Sequence, residues 1–327
     1  MFKTEYIKVD AQQPDLQKIH QAAQLIRSGE LVAFPTETVY GLGADALQAS
    51  AAARIFKAKG RPAGQPLLVH ISKMEQVEML VTTIPAVARQ LMEHFWPGPL
   101  SIILPARERV PEIVRGGTGG VGLRMPSHPV SIALINAAGP LAAPSANLYG
   151  RPSPTSADHV RADLDGKIAA VLDAGETGTG LESTLIDLNG GFKLLRRGGI
   201  AVEEIEALLD RKLETMTGMS ADRPAYHSLV KVILCQNHGD LTMQTEALRQ
   251  TAKSVGLVRV QGSKQSYTCD FDKEYRIDLD GQGQSFFSIL RDAEMEKLDA
   301  LLFEPLDEHP GGLGEAIIDR IRRAASR

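Results

Sequence analysis

Cysteine is scarce in this chain of 327 residues, which holds only Cys235 and Cys269. The two lie far apart and match no metal-binding spacing, so we expect two small buried thiols in a reducing compartment. No apolar run approaches the roughly 18 residues that a membrane-spanning helix needs. The first residues also lack a basic segment followed by an apolar one, so we expect no secretory signal and a cytoplasmic protein.

Acidic residues are missing from two long stretches, although the net charge of the chain is -4. Residues 46–74 and 113–157 contain no Asp or Glu, but they do contain several Lys and Arg. The negative total argues against a dedicated nucleic-acid binder, which usually carries a basic excess. A local positive field within an acidic protein suits a small anionic ligand.

Several motifs of well-known chemistry are also missing. The chain has no H-E-x-x-H zinc motif, no G-x-S-x-G nucleophile turn, no Walker A loop and no G-x-G-x-x-G after a strand. Nothing therefore indicates a nucleophilic triad or a resident metal. We expect chemistry that rests on positioning and charge neutralisation, as in phosphoryl or nucleotidyl transfer.

Strand-like and helix-like segments alternate along the chain, with Pro and Gly between them. This pattern predicts an α/β fold with a sizeable mixed, twisted sheet over residues 1–213. Residues 230–327 repeat the alternation on a smaller scale and predict a second, Rossmann-like α/β domain. Residues 214–229 lack periodicity and predict a linker that is a candidate lid. The clearest predicted helices cover residues 15–28, 49–59, 85–95, 129–138 and 314–325.

The segment KAKGRPAGQPLLVHI, residues 57–71, concentrates cations before an apolar strand. Lys59 and Arg61 are two apart across a glycine, so an extended backbone would let both reach one phosphate chain. Arginine offers a planar fork to an anion, and lysine a compact point charge. The alternative is a solvated basic helix end, where cations suit the helix dipole. His70, in an apolar strand, is by itself more typical of a satisfied core residue.

Three further segments supply polar groups next to predicted strands. PTETVYGLG, residues 35–43, reads as a glycine-bearing turn with two hydroxyls and a carboxylate, which lets a ligand approach the backbone. In APSAN, Ser145 and Asn147 alternate, so an extended chain points both to one side. Arg124 interrupts the apolar strand VGLRMP, and a buried cation demands an anionic partner. The alternative to a ligand site is an ordinary turn capped by its own side chains for the first two segments, and an internal ion pair for Arg124.

Taken together and in this order, these segments resemble the L-threonylcarbamoyladenylate synthase family. The likeness rests on PTETVYGLG, KAKGRPAGQPLLVHI, WPGPLSIILP, VGLRMPSHP, APSANLYGRPSPT, ESTLIDL and LLRRGGI, and each segment is weak alone. FFSILRDAEMEKLDALLFEPL and GGLGEAIIDRIRRAA resemble the C-terminal domain of the family's long form. The resemblance implies a YrdC-like catalytic domain with a concave, positively charged cavity.

The resemblance also implies a nucleotidyltransferase that condenses L-threonine, bicarbonate or CO2 and ATP, with Mg2+, into threonylcarbamoyl-AMP and pyrophosphate. A partner complex would then transfer the threonylcarbamoyl group to adenosine 37 of tRNA, with a weak tRNA contact possible.

The family's Lys-x-Arg and Ser-x-Asn signature falls on Lys59, Arg61, Ser145 and Asn147. Lys59 and Arg61 match the catalytic positions. The threonine positions are Thr38, His70, Arg124, Ser145 and Ser183. The ATP positions are Lys59, Arg61, Gln65, Asn147, Arg196 and Tyr226.

Two departures from the family pattern bear on these assignments. Gln65 stands where the family usually has Asn, and the second Arg of LLRRGGI stands where it often has Pro, which favours Arg196 over Arg197. The linker GMSADRPAYH, residues 218–227, differs from the usual G-M-K-Y-R-H-Y, which puts closure of a lid over the nucleotide in question. Three alternatives stay open: an RNA-binding module without catalysis, a carbamoyl-adenylating enzyme with another acceptor, and an inactive paralogue.

Overall fold

The computed structural model describes residues 3–215, 226–251, 253–280, 285–306 and 311–325. The chain divides into two compact units. The first comprises residues 1–149, 153–178 and 182–217, and the second comprises residues 150–152, 179–181 and 218–327. The predicted linker falls mostly on residues 216–225, outside the described residues.

The first unit is built on one mixed sheet of eleven strands, in the order β1-β8-β2-β3-β7-β4-β6-β5-β9-β10-β11. Its neighbouring strands pair in both senses: β4 is parallel to β6, for example, and β5 is antiparallel to β6. Its strands are β1 (Glu5–Lys8), β2 (Val32–Phe34), β3 (Gly41–Asp45), β4 (Leu68–His70), β5 (Leu100–Pro105), β6 (Gly120–Arg124), β7 (Leu141–Ala142), β8 (Ala170–Asp173), β9 (Thr184–Asp187), β10 (Lys193–Arg196) and β11 (Glu214–Thr215).

The helices of this unit bury apolar residues at helical spacing, and some of them begin at a capping side chain, as α1 (Leu16–Arg27) illustrates. In α1 the Asp15 side chain accepts a hydrogen bond from the Gln17 N–H, which caps the helix, and every third or fourth residue is buried. Its helices are α1 (Leu16–Arg27), α2 (Ala49–Lys59), α3 (Met74–Leu80), α4 (Ala86–Phe95), α5 (Glu112–Arg115), α6 (Pro129–Ala138), α7 (Ala157–Leu164) and α8 (Val202–Leu209).

One apolar core lies where α1 and α6 cover β2 and β8. Ile19 and Ile26 of α1 are buried there with Leu134 of α6, against Phe34 and Leu172 of the sheet. Burying such side chains contributes roughly 1.5–3 kcal/mol each, so this layer fixes the strands from which the polar segments extend.

The second unit is a four-stranded parallel sheet, in the order β12-β15-β13-β14. It comprises β12 (Lys231–Leu234), α9 (His238–Gln250), β13 (Val255–Val260), β14 (Lys273–Ile277), α10 (Phe286–Met295), β15 (Ala300–Phe303) and α11 (Gly312–Ala325). Its central strands β13 and β15 are mainly apolar and buried, as expected for a parallel sheet covered by helices, whereas the edge strands β12 and β14 also contain exposed residues. None of the helices in the described residues is long and apolar enough to span a membrane.

The predicted α/β class, with a large mixed sheet and a smaller second sheet, is confirmed. One local prediction needs correction, because the second half of the 35–43 segment is a strand and not a turn. Gly41 and Gly43 lie in β3 against the Phe34 ring, and a Cβ on Gly43 would come within 2.9 Å of that ring. The glycines therefore permit close packing between strands.

Candidate functional site

Five neighbouring strands bring polar residues to the same end of the large sheet. His70 and Arg124 end the parallel strands β4 and β6 and lie side by side in register. Strand β5 runs the other way, so Ser101 near its start reaches this end as well. Ser183 immediately precedes β9, which is parallel to β5, and Arg196 ends β10, which is antiparallel to β9. Strand direction alone thus gathers residues that are over 120 positions apart.

Arg124 is a buried cation, with only 4% of its surface exposed. Its Nη1 donates a hydrogen bond to Thr38 Oγ1 at 2.9 Å, and its Nη2 lies 2.8 Å from Glu37 Oε2. Its Nε also donates to the Gly98 carbonyl oxygen at 3.3 Å. The predicted anionic partner in the apo protein is therefore Glu37, and the guanidinium is held in place from three sides.

The turn before β3 is arranged by its own hydroxyls. Thr36 Oγ1 lies 2.7 Å from Thr38 Oγ1 and accepts from the Val39 N–H at 3.2 Å. Such side-chain to backbone bonds fix a turn without a regular ladder. They present the Thr38 hydroxyl and the Glu37 carboxylate toward Arg124.

His70 is buried beside Arg124, and its ring meets Phe34 edge-on with 6.1 Å between centroids. Burial, and then the positive charge of Arg124, hold the pKa of His70 well below its usual range, so the ring is neutral at neutral pH. Its Nδ1 has no hydrogen-bond partner among the described residues. A buried ring nitrogen without a partner is available to a ligand group.

Ser183 is held between two strands. Its Oγ lies 2.7 Å from Ser101 Oγ and accepts a hydrogen bond from Arg196 Nη2 at 2.9 Å, while Arg196 Nε donates to the Ser183 carbonyl oxygen at 2.9 Å. The following loop packs closely here, since a Cβ on Gly198 would lie 2.2 Å from the Glu182 carbonyl oxygen. Arg196 is thereby placed at this end of the sheet.

Lys59 joins the two signature segments. It is the last residue of α2 and is 97% buried, and its Nζ donates to the carbonyl oxygens of Ser145 and Asn147, each at 2.5 Å. Gly60 then turns the chain in a left-handed conformation at φ 63°. Ser145 also bridges to Gly41 in β3. The lysine ammonium therefore fixes the loop that presents Ser145 and Asn147.

Arg61 and Gln65 flank the same loop. Arg61 Nη2 donates to the Pro66 carbonyl oxygen at 3.0 Å, and burial lowers the pKa of the Arg61 guanidinium. Gln65 Nε2 donates to the Tyr149 hydroxyl at 2.8 Å, and the Tyr149 N–H donates to the Lys59 carbonyl oxygen. The structure thus brings Lys59, Ser145, Asn147 and Gln65 together through Tyr149.

Tyr226 belongs to the second unit. Its ring packs against Phe287 with 5.3 Å between centroids, and the Arg323 guanidinium lies 4.6 Å from the ring centroid. The ring is buried within that unit. Its assignment to ATP stays a prediction, and residues 218–225 of the predicted lid lie outside the described residues.

Two polar residues of this region had no role in the sequence-based assignment. Glu37 was visible only as the carboxylate between two threonines, and Ser101 as a single hydroxyl in the apolar strand LSIILP. A polar residue at a buried strand position demands a partner, and that signal pointed to Ser101, whereas Glu37 lies in a turn and had no such signal. Among the described residues, no group of three or more His, Cys, Asp or Glu side chains is arranged to hold a metal ion.

Comparison with known proteins matches both units to one family. Residues 24–198 match the family model Sua5/YciO/YrdC, described as "Telomere recombination", and residues 200–326 match "Threonylcarbamoyl-AMP synthase, C-terminal domain". The threonylcarbamoyl-AMP synthase of Pyrococcus abyssi is 42% identical over 94% of each chain. That of Bacillus subtilis is 39% identical over 94% of this chain and 93% of its own.

Solved structures agree with the sequence comparison. The structure of Pyrococcus abyssi Sua5 complexed with L-threonine superposes with a TM-score of 0.88 at 38% identity, over 99% of this chain and 98% of that one. Escherichia coli YciO, at 24% identity and a TM-score of 0.55 over 60% of this chain and 96% of its own, shares the fold. With both domains matched in order along one chain, this protein belongs to the threonylcarbamoyl-AMP synthase family, in its long, two-domain form.

Proposed function

We propose that this chain condenses L-threonine, bicarbonate and ATP into threonylcarbamoyl-AMP and pyrophosphate. The observation that carries the proposal is the buried Arg124, whose guanidinium is fixed by Thr38 and paired with a carboxylate at 2.8 Å. A buried guanidinium at the end of five strands is a binding site for a small carboxylate. The relatives with the same two domains are named for this reaction.

The threonine pocket in this proposal uses the groups around Arg124. The guanidinium binds the α-carboxylate, and the Thr38 hydroxyl orients it. The neutral His70 accepts a hydrogen bond at Nδ1 from the threonine hydroxyl or amine. Ser145 and Ser183 supply further hydroxyls to the same small polar ligand.

The nucleotide pocket in this proposal uses the loop fixed by Lys59. Lys59 and Arg61 offset the charge of the triphosphate, and Gln65 and Asn147 hydrogen-bond to it. Arg196, at the end of β10, is a further candidate contact of the nucleotide, and the ATP role of Tyr226 is carried over from the family resemblance alone. Magnesium enters bound to the phosphate oxygens of its ATP substrate.

The chemistry needs no covalent enzyme intermediate. Bicarbonate yields CO2 by losing hydroxide, and the neutral threonine amine adds to the CO2 carbon. The proton that the amine then loses combines with the hydroxide and leaves as water, so the product is a carbamate. A carbamate oxygen then attacks the α-phosphorus, the bond to the β-phosphate oxygen breaks, and pyrophosphate leaves. The chain contributes orientation of the two substrates and stabilisation of the charge that develops at phosphorus.

The reaction has a place in tRNA modification. Threonylcarbamoyl-AMP is an activated mixed anhydride, so a downstream transferase complex must consume it, and we propose that the acceptor is adenosine 37 of tRNA. A reducing, ATP-rich cytoplasm is the compartment that suits these substrates, in keeping with two cysteines that are free in the structure.

Pyrophosphate release from ATP tests the proposal. Purified protein is incubated with bicarbonate, with and without L-threonine, and with L-serine as control. We expect release that needs both threonine and bicarbonate. A folded protein that binds ATP but releases no pyrophosphate with threonine would contradict the proposal, and an amino-acid panel would then identify another acceptor.

A further inference from the structure

Glu37 has an unusual environment for a carboxylate. Both of its oxygens are shielded from solvent, and neither has an aligned hydrogen-bond donor among the described residues. Its close neighbour is Arg124 Nη2 at 2.8 Å, which is itself not aligned to donate a hydrogen bond. A buried carboxylate is costly unless several donors satisfy it. The pair is held by charge and lacks the donors that would satisfy the carboxylate.

The charges around Glu37 match an amino acid. An α-amino acid carries a carboxylate and an ammonium group on one carbon, so its binding site needs a cation and an anion side by side. Arg124 and Glu37 are such a pair, and the Thr38 hydroxyl and the unpartnered His70 Nδ1 lie next to the same guanidinium. His128 also feels the Glu37 charge, which raises its pKa against the larger lowering effect of burial.

We propose that Glu37 binds the ammonium group of the threonine substrate, a role that rests on the function proposed above. In the free protein the Glu37 carboxylate neutralises Arg124. When threonine binds, the substrate carboxylate takes the guanidinium, and the Glu37 carboxylate accepts hydrogen bonds from the ammonium. The exchange keeps the Arg124 and Glu37 charges paired in both the free and the bound state. A substrate with a single charge would leave one of the two unpaired.

A ligand that lacks only the amine tests this role. (R)-3-Hydroxybutanoate keeps the carboxylate, hydroxyl and methyl group of L-threonine but has no ammonium group. Calorimetric titration measures the affinities of both ligands for the wild-type full-length chain and for Glu37→Gln. We expect Glu37→Gln to weaken threonine binding on the order of 10- to 100-fold, the range of a charge-assisted hydrogen bond, and to leave (R)-3-hydroxybutanoate binding unchanged or tighter.

The alternative is that Glu37 only orients Arg124. In that case Glu37→Gln weakens both ligands in parallel, and the inference is overturned. Unchanged threonine affinity overturns it as well. Wild-type protein that binds no threonine would instead overturn the proposed function together with this inference, so the two failures are distinguishable.

Two further variants guard against a folding artefact. Glu30→Gln makes the same change in the Glu30–Arg54 ion pair, whose atoms lie 2.7 Å apart elsewhere in the first unit, and should leave both affinities unchanged. Glu37→Asp keeps the charge but shortens the side chain, and should weaken threonine alone by a smaller factor. Equal losses of both ligands in Glu37→Asp would count against the inference even if Glu37→Gln does not fold.

Discussion

Arg124 and Lys59, two buried cations among the described residues of the first unit, contact different parts of the chain. Arg124 is paired with a side-chain carboxylate, whereas Lys59 donates to two main-chain carbonyl oxygens of another loop. A carboxylate partner can be exchanged for a substrate carboxylate without moving the backbone. Carbonyl partners hold the backbone itself, so removing Lys59 disturbs both charge and loop position. Under the proposed function, the Arg124 pair is thus arranged for exchange with a substrate carboxylate, and the loop that Lys59 holds is arranged for rigidity.

The largest expected effect is at Arg124. Arg124→Ala should lower threonine-dependent pyrophosphate release at least about 1000-fold and destabilise the protein by about 3–5 kcal/mol, because Glu37 is left buried and unpaired. Arg124→Lys should recover stability but little activity, since a point charge cannot replace the fork. Activity and urea unfolding are measured on the same samples, and near-normal turnover in either variant would contradict the assignment.

Lys59 should show loss of activity together with loss of stability. Lys59→Met keeps the aliphatic stem but leaves the Ser145 and Asn147 carbonyl oxygens without the ammonium. We expect ATP-dependent activity to fall roughly 100-fold or more, and unfolding free energy to fall by about 1–3 kcal/mol. A variant of unchanged stability with low activity would break the comparison, because Lys59 would then act on the phosphates alone.

A pair of variants tests which of two neighbouring arginines, Arg196 or Arg197, contacts the nucleotide. Two hydrogen bonds to Ser183 fix the Arg196 guanidinium, which we propose contacts the nucleotide, so Arg196→Ala should raise the KM for ATP by about 10- to 100-fold. Arg197→Ala is the matched control, and we expect it to change the KM less than about 3-fold. The reverse order in steady-state kinetics would move the nucleotide contact to Arg197.

Stability should fall on acidification because of the buried His70 and the half-buried His128. Burial lowers the pKa of both His70 and His128 in the folded chain, whereas an unfolded histidine titrates near 6.5. Below about pH 6.5 the unfolded chain takes up protons that the folded chain does not. The contribution of these histidines to the free energy of unfolding is therefore complete above that pH. It is lost below that pH, by up to about 1.4 kcal/mol per pH unit for each histidine.

Denaturant unfolding at pH 7.5, 6.5 and 5.5 measures this slope. His70→Asn should reduce the change of unfolding free energy with pH by the contribution of one proton, which is about 1.4 kcal/mol per pH unit at most. An unchanged slope would show that His70 takes up a proton as readily in the folded chain as in the unfolded chain, contrary to a ring kept neutral beside Arg124.

The smallest expected effect is at Gln65. Gln65→Asn introduces the amide that is usual in the family and shortens the reach to the Tyr149 hydroxyl, now 2.8 Å away. Losing one neutral hydrogen bond should change ATP affinity by about 3- to 10-fold. Titration with ATP measures it, and Tyr149→Phe is the matched control that removes the same bond from the other side.

The sequence was most informative where an apolar periodicity ends at a residue that stops a helix or strand, such as glycine. Helix α2 was predicted over its observed span, because an apolar pattern runs up to the glycine at position 60. The short strands β1 and β14 were missed, since each is defined by pairing with a distant strand and has no strong local pattern. Similarly, the motifs identified Arg124 and Thr38, but only the fold shows that Glu37 contacts the same guanidinium as a competing anion.

The most direct test of the account follows the carbon atom of bicarbonate. Wild-type protein is incubated with ATP, L-threonine and 14C-bicarbonate, and the nucleotide products are separated. The account predicts a labelled mixed anhydride with AMP that forms only when threonine is present and is accompanied by pyrophosphate in equal amount. Pyrophosphate without labelled nucleotide, or labelled nucleotide without threonine, would contradict it.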